Sequence, residues 1–246
     1  MGHIFRRDYQ IPFYETDVNH EVKLPHLLSV ALQVSGEQSL ELGVSDEAIF
    51  EKYHLVWVIT EYNIDIKRMP RYAETVTIET EAISYNKLFC YRYFRIFDQA
   101  GEQIMTIFCH FVLIDFDSRK VAQVPDELVA PYQVEKIKKL IRGHKYQDLK
   151  EAEETLYHVR YFDLDMNGHV NNGKYLEWMY DVLDIDFLRQ HCPQSVNLKY
   201  VKEIHYGGDI QSRVERDGLV SHHDITSETG VNAQAIITWK ERENHV

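Results

Sequence analysis

The stretch Asp165-Met166-Asn167-Gly168-His169-Val170-Asn171-Asn172 places a carboxylate, an imidazole and three amides within eight residues, just ahead of an amphipathic segment. A second version stands 148 residues earlier, at Asp17-Val18-Asn19-His20-Glu21-Val22. Asp, Asn and Val recur in register, but Glu21 holds the position of His169. One copy is chemically equipped and the other is stripped, the pattern of a duplicated unit with one working site.

In an extended segment residues two apart point the same way, so Asp165, Asn167 and His169 can converge on one side. Such a group can polarise a carbonyl, position a water and move protons. Asn171 or Asn172 is placed to cap the helix that follows. The start of that helix offers free N–H groups and a positive dipole end, which suit an oxyanion. The competing reading is an Asx-rich hydrogen-bonded turn, the ordinary use of Asp and Asn in loops. His169 and the tandem Asn pair favour chemistry.

Outward from the motif, the two halves repeat one order of elements. Asp8–Tyr14 reads as a strand, and a helix follows over Leu24–Leu42, with Leu24, Leu27, Leu28, Ala31, Leu32 and Val34 at mostly helical spacing and Gly43 as its stop. Strands are expected at Leu55–Ile66, Thr75–Glu81, Lys87–Phe97 and Gln103–Asp115, with a turn at Asp98-Gln99-Ala100-Gly101. In the second half a strand at Leu156–Phe162 precedes the motif. A helix over Tyr175–Arg189 carries Leu176, Met179, Leu183 and Phe187 on one stripe, and strands follow at Val196–Tyr200, Ile210–Glu215, Leu219–Thr226 and Ala233–Lys240. A long helix followed by a meander implies an α+β fold, an antiparallel sheet wrapped around a central helix, built twice. Tyr72–Val76 matches Tyr206–Ile210 at an offset of 134 rather than 148, which puts an insertion in the first half near residues 43–56. The expected units are residues 1–132, a linker at 133–150 containing a short helix interrupted by Gly143, and residues 151–246. The linker holds a basic cluster, Lys136, Lys138, Lys139, Arg142 and Lys145, that serves either as a solvated face or as a docking patch for an acidic partner.

Composition narrows the function classes. A net charge of −12 argues against general nucleic-acid binding, which needs a basic surface. No GxGxxG or Walker loop suggests a nucleotide cofactor, and no cofactor is expected. No apolar run approaches a bilayer span, the N-terminus lacks the apolar core of a signal peptide, and three cysteines without a CxxC pair fit a reduced, cytoplasmic protein. A metal at Asp165 and His169 is short of ligands, so none is expected.

The Asp-x-Asn-x-His-Val-Asn-Asn string, with Lys199-Tyr200-Val201-Lys202-Glu203-Ile204 further on, resembles the acyl-acyl carrier protein (acyl-ACP) thioesterases of plants and bacteria. The resemblance runs from about Tyr9 to Lys240. It implies a tandem (double) hotdog fold, with the acyl chain bound by the first half and catalysis in the second. The implied catalytic set is Asp165, Asn167, His169 and Glu203. The reaction would release free fatty acid and end fatty acid synthesis. Ile204 stands where plant members carry Cys, so the chain follows a bacterial pattern and a thiol nucleophile there is ruled out. Cys90, Cys109 and Cys192 lie in no matching motif and read as buried apolar residues. Glu203 is then either general base or nucleophile.

Substrate contacts are expected from Asn171, Asn172, Leu28, Leu32, Trp57 and Ile59. The resemblance implies acyl carrier protein as partner. It is an acidic protein, so local basic sites would have to steer it: the linker cluster (Lys136, Lys138, Lys139, Arg142), Arg6 with Arg7, or Lys199 with Lys202. Rival readings are an acyl-CoA thioesterase of the same fold using Lys199, Lys202 or Arg213 for phosphates, a hotdog hydratase, and a non-catalytic acyl-binding sensor. A homodimer of the double fold stays open.

Overall fold

The computed structural model describes residues 2–242. The first half runs β1 (Ile4–Gln10), α1 (Leu24–Glu41), α2 (Asp46–Tyr53), β2 (Leu55–Ile66), β3 (Thr75–Tyr85), β4 (Phe89–Phe97), β5 (Gln103–Asp115), β6 (Val121–Ala122), α3 (Asp126–Val129) and β7 (Glu135–Lys136). The second runs β8 (Glu153–His158), α4 (Asn172–Asp181), α5 (Ile185–Gln190), β9 (His191–Tyr200), β10 (Asp209–Asp217), β11 (Val220–Ser227) and β12 (Gly230–Glu241).

The fold is α+β, as the repeat implies, but the two sheets are one. Twelve strands join in the order β1-β3-β4-β5-β2-β9-β12-β11-β10-β8, with β6 on β5 and β7 on β3. The halves meet where β2 pairs antiparallel with β9, centred on Asn63 opposite Asn197. In β2, Tyr62, Ile64 and Ile66 face the core while Asn63 and Asp65 face outward, the period of two expected of a half-buried strand. A bulge between Ile59 and Glu61 resets that alternation. α1 and α4 lie side by side on the core face, and one cluster takes in Leu27, Ala31, Leu176, Met179, Ile107 and Leu198. No helix among the described residues is long and apolar enough to cross a membrane.

Several boundaries differ from expectation for local reasons. Pro12 and the turn Phe13–Glu15 end the first strand early, and the matching turn Tyr161–Asp163 shortens β8. The expected helix over Tyr175–Arg189 breaks after Asp181, because Asp184 caps a new helix by accepting from the amides of Asp186 at 2.7 Å and Phe187 at 3.4 Å. The extra length of the first half begins before residue 43. α1 and α4 start in register, but α1 has 18 residues against 10 in α4, and α2 follows.

The linker contains no helix. Past β7 its backbone is claimed by the outer face of the sheet. The Ile141 amide donates to Tyr91 Oη at 3.1 Å, His144 to Glu61 Oε1 at 2.8 Å and Lys150 to Glu215 Oε2 at 3.0 Å. Gly143 is a close-approach residue, not a helix interruption: a Cβ there would stand 1.6 Å from Glu61 Oε2. The linker is a strap that spans both halves.

Candidate active site

Both motif copies fold as the same turn. Asp165 Oδ1 accepts from the amides of Asn167 at 2.8 Å and His169 at 3.3 Å, and Asp17 Oδ1 does the same for Asn19 at 2.8 Å and Glu21 at 3.2 Å. Gly168 and its counterpart His20 both take positive φ, 81° and 61°. The Asx-turn reading is therefore correct for the backbone in both halves, and function rests on what the side chains then face.

In the second half, His169 forms a bridge to His205, and its Nε2 stands 3.5 Å from Glu203 Oε2. Arg119 ion-pairs with the other carboxylate oxygen of Glu203. In the first half the equivalents are Glu21 and Met69. Glu21 is taken by Arg242 at 2.5 Å, and Met69 is buried in the core. The degenerate copy has thus lost both the imidazole and the carboxylate.

Arg119 was not visible from the sequence. It sits at φ 55° on the tight turn between β5 and β6, in the other half of the molecule, and nothing in its neighbourhood marks it. Two tyrosines were also missed. Tyr175 Oη accepts from the Ile204 amide at 3.2 Å and so fixes the backbone beside Glu203. Tyr200 Oη donates to the Asn172 carbonyl at 2.8 Å. Burial pushes both phenols above their ordinary range.

Asp165, Asn167, His169, Asn172, Tyr175 and Glu203 line the mouth of a cleft of about 660 Å³, a volume suited to a small-molecule or acyl ligand. Asn167 is exposed there, and its side chain makes no hydrogen bond to a described residue. At the start of α4, Asn171 caps the Gly173 amide at 2.8 Å, which leaves the Asn172 N–H as the amide open to a ligand. Of the expected substrate contacts, Asn172, Leu32, Trp57 and Ile59 line the cleft. Asn171 faces a separate shallow groove beside Pro25 and Lys174, because its side chain is spent on the cap. Leu28 packs in the core one turn before Leu32 on the same face of α1 and does not line the cleft.

Cys90 lines the cleft, but burial pushes its thiol up to about 12, and Cys109 is raised as well. Neither is a thiolate at neutral pH. The basic residues expected to steer a partner are unequally available. Arg6 is held by Glu79, Arg7 by Glu37 and Lys136 by Asp126, whereas Lys138, Lys139 and Arg142 are exposed and make no ion pair with a described residue.

A double-hotdog scaffold with a His–Glu–Arg cluster at the mouth of a cleft is compatible with a thioester hydrolase, and the family match gives that class. Family models agree: the acyl-ACP thioesterase N-terminal domain matches residues 2–132 and the C-terminal domain matches residues 146–241. The chain belongs to the acyl-ACP thioesterase family. It is 23% identical to the oleoyl-acyl carrier protein thioesterase of Coriandrum sativum, over 99% of this chain and 70% of that protein. A Lactobacillus plantarum protein, provisionally assigned as an oleoyl thioesterase, superposes with TM-score 0.92 at 32% identity, covering 99% of this chain and 98% of that one. The 12:0-ACP thioesterase of Umbellularia californica shares the fold, with TM-score 0.85 at 21% identity over 97% of this chain and 98% of its own.

Proposed function

We propose that the protein hydrolyses fatty acyl-ACP thioesters, with Glu203 as general base, His169 as its partner and the acyl chain held in the first half. The observation that carries this is the convergence of His169, Glu203 and Arg119 at the mouth of a cleft whose inner walls come from α1, β2 and β5. Water adds to the thioester carbonyl and gives its proton to Glu203. The oxyanion is met by the Asn172 N–H at the positive end of α4 and by the Asn167 side chain. Collapse of the tetrahedral intermediate expels the thiolate, which recovers the proton through His169. Arg119 holds one carboxylate oxygen and leaves the other toward His169. Asp165 shapes the turn that carries both His169 and Asn167.

Acyl carrier protein is favoured over coenzyme A as the carrier. Of the three cations considered for CoA phosphates, two are committed, Lys202 Nζ donating to the Thr229 carbonyl at 2.7 Å and Arg213 Nε pairing with Asp224 at 3.6 Å, and Lys199 alone is exposed without an ion pair to a described residue. A phosphate-rich carrier would need them free, whereas Lys138, Lys139 and Arg142 on the strap suit an acidic protein.

The test is hydrolysis of a panel of ACP and CoA thioesters from C8 to C18 by wild type, Glu203→Ala and His169→Ala. Turnover on the carrier protein that both substitutions abolish is the expected result. Turnover confined to CoA, or retained by both variants, would overturn the reading.

A further inference from the structure

The cleft is not lined by hydrocarbon throughout. Arg92 on β4 is only 7% exposed, and its Nη1 donates to two neutral acceptors, Gln38 Oε1 at 2.6 Å and Thr80 Oγ1 at 2.7 Å. Its guanidinium lies over the Tyr132 ring at 5.3 Å. No carboxylate among the described residues pairs with it, although buried arginines are normally paired. Its Nε and Nη2 make no hydrogen bond to a described residue, and Arg92 lines the cleft. Burial pulls the guanidinium below its ordinary range, the mark of a cation without a compensating anion.

Its surroundings continue the theme. Ser35, Ser39 and Tyr132 line the same part of the cleft, with Ser39 Oγ and Tyr132 Oη 2.6 Å apart. Asp46 also lines the cleft, and its negative charge acts on Tyr132 in the opposite sense to Arg92. A methyl-terminated chain leaves the Arg92 donors unmet, and leaving buried donors unmet is costly. A carboxylate-ended chain would bring a second negative charge into the cleft that Asp46 already lines. A neutral oxygen can accept from Arg92 without that repulsion.

We infer that the cleft selects acyl chains bearing a neutral oxygen substituent, a hydroxyl or keto group, and that Arg92 is the residue that selects them. This rests on the hydrolase reading above and names its substrate class.

The experiment compares plain and hydroxylated acyl-ACP thioesters of equal length, with the hydroxyl placed mid-chain or at the chain end. Wild type is tested beside Arg92→Met, which keeps the side-chain length and removes the donors, and Arg92→Lys. For at least one hydroxyl position, wild type favours the hydroxylated chain by about tenfold or more in kcat/KM, the worth of one hydrogen bond to a charged donor. Arg92→Met loses that preference through KM, and Arg92→Lys keeps part of it. Preference for the plain chain at every length, or an unchanged ratio in Arg92→Met, would overturn the inference. Calorimetric binding of the free hydroxylated and plain acids to wild type needs neither turnover nor a folded variant. Equal affinities there count against Arg92. Absence of hydrolysis on every thioester would instead sink the hydrolase reading and leave the calorimetry to decide Arg92.

Discussion

Asn63 and Asn197 face each other across the β2–β9 seam, with Asn63 Nδ2 donating to Asn197 Oδ1 at 3.0 Å, and they occupy equivalent positions of the two halves. Their separation is the same 134 residues that relates Tyr72 to Tyr206, so the pair marks the pseudo-twofold axis of the duplication. Asn197→Ala removes the acceptor and is expected to cost about 1 kcal/mol, or roughly 2–4 °C in Tm for a chain of this size. The double variant with Asn63→Ala should lose less than the sum of the single losses. Strictly additive losses in thermal melts would show that the pair is not coupled.

Arg119 reaches Glu203 from the other half, so its substitution tests whether the site is shared. Arg119→Met should lower kcat by about ten- to a hundredfold, a positioning effect smaller than removal of the base itself. KM should change little, and Arg119→Lys should recover part of the rate. A kcat equal to that of wild type would mean the ion pair is a surface contact only.

The paired turns separate shape from charge. Asn can keep the Oδ1 acceptor that organises each turn, so Asp17→Asn and Asp165→Asn should both melt close to wild type. If the carboxylate beside His169 takes part in the chemistry, Asp165→Asn loses about tenfold or more in kcat while Asp17→Asn loses nothing. Equal activity in the two variants would confine Asp165 to holding the turn.

Charge on the strap should affect binding of the carrier and not the chemical step. Reversal of Lys138, Lys139 and Arg142 to Glu raises KM for acyl-ACP in low salt, and the effect shrinks as salt screens it. Lys136→Glu alone does less, because Lys136 is already engaged by Asp126 at 2.6 Å. An unchanged low-salt KM in the triple variant would remove the strap from the docking surface.

His223 provides a pH-dependent stability signal away from the site. It is buried, with Nε2 2.8 Å from Ser221 Oγ, and burial drives its pKa down to about 3, with neighbouring His222 adding to the shift. In the unfolded chain it titrates near 6.5, so the unfolded state gains protons first as pH falls. Stability is therefore unaffected by this group above about pH 6.5 and is lost progressively from there toward pH 3, by about 3 kcal/mol between pH 7 and pH 4. Asp224, whose carboxyl burial raises, has the opposite sign and is common to both proteins compared. Denaturant melts of wild type and His223→Gln at the two pH values should show the smaller acid loss in the variant. Equal losses would refute the assignment.

Long strand-like segments rich in β-branched and aromatic residues were legible: Leu55–Ile66 and Gln103–Asp115 coincide end to end with β2 and β5. The duplication could be read because the motif turn is a local Asx device that repeats with its own spacing. Elements whose state is set by partners far along the chain could not be read. The strap became extended because Tyr91, Glu61 and Glu215 bind its amides, and no local pattern announces that. The helix cap was legible as Asn171 or Asn172, and the structure assigns it to Asn171. Arg119 illustrates the limit, since its partner Glu203 lies 84 residues away.

The fourteen residues by which the first half exceeds the second, the fall in offset from 148 to 134, have a consequence of their own. Ser35, Gly36, Ser39 and Asp46, which wall the cleft, all lie beyond the point where α4 ends in the other half. On the proposed reading, selection and chemistry are then written in largely separate stretches of one polypeptide, with Arg119 the exception. In an assembly of two identical chains every change to one copy is imposed on the other, so a wider cleft would arrive with an altered catalytic turn. Fusion of the copies lifts that tie. This chain can diversify what it accepts through α1 and α2 while the turn at Asp165 stays as it is.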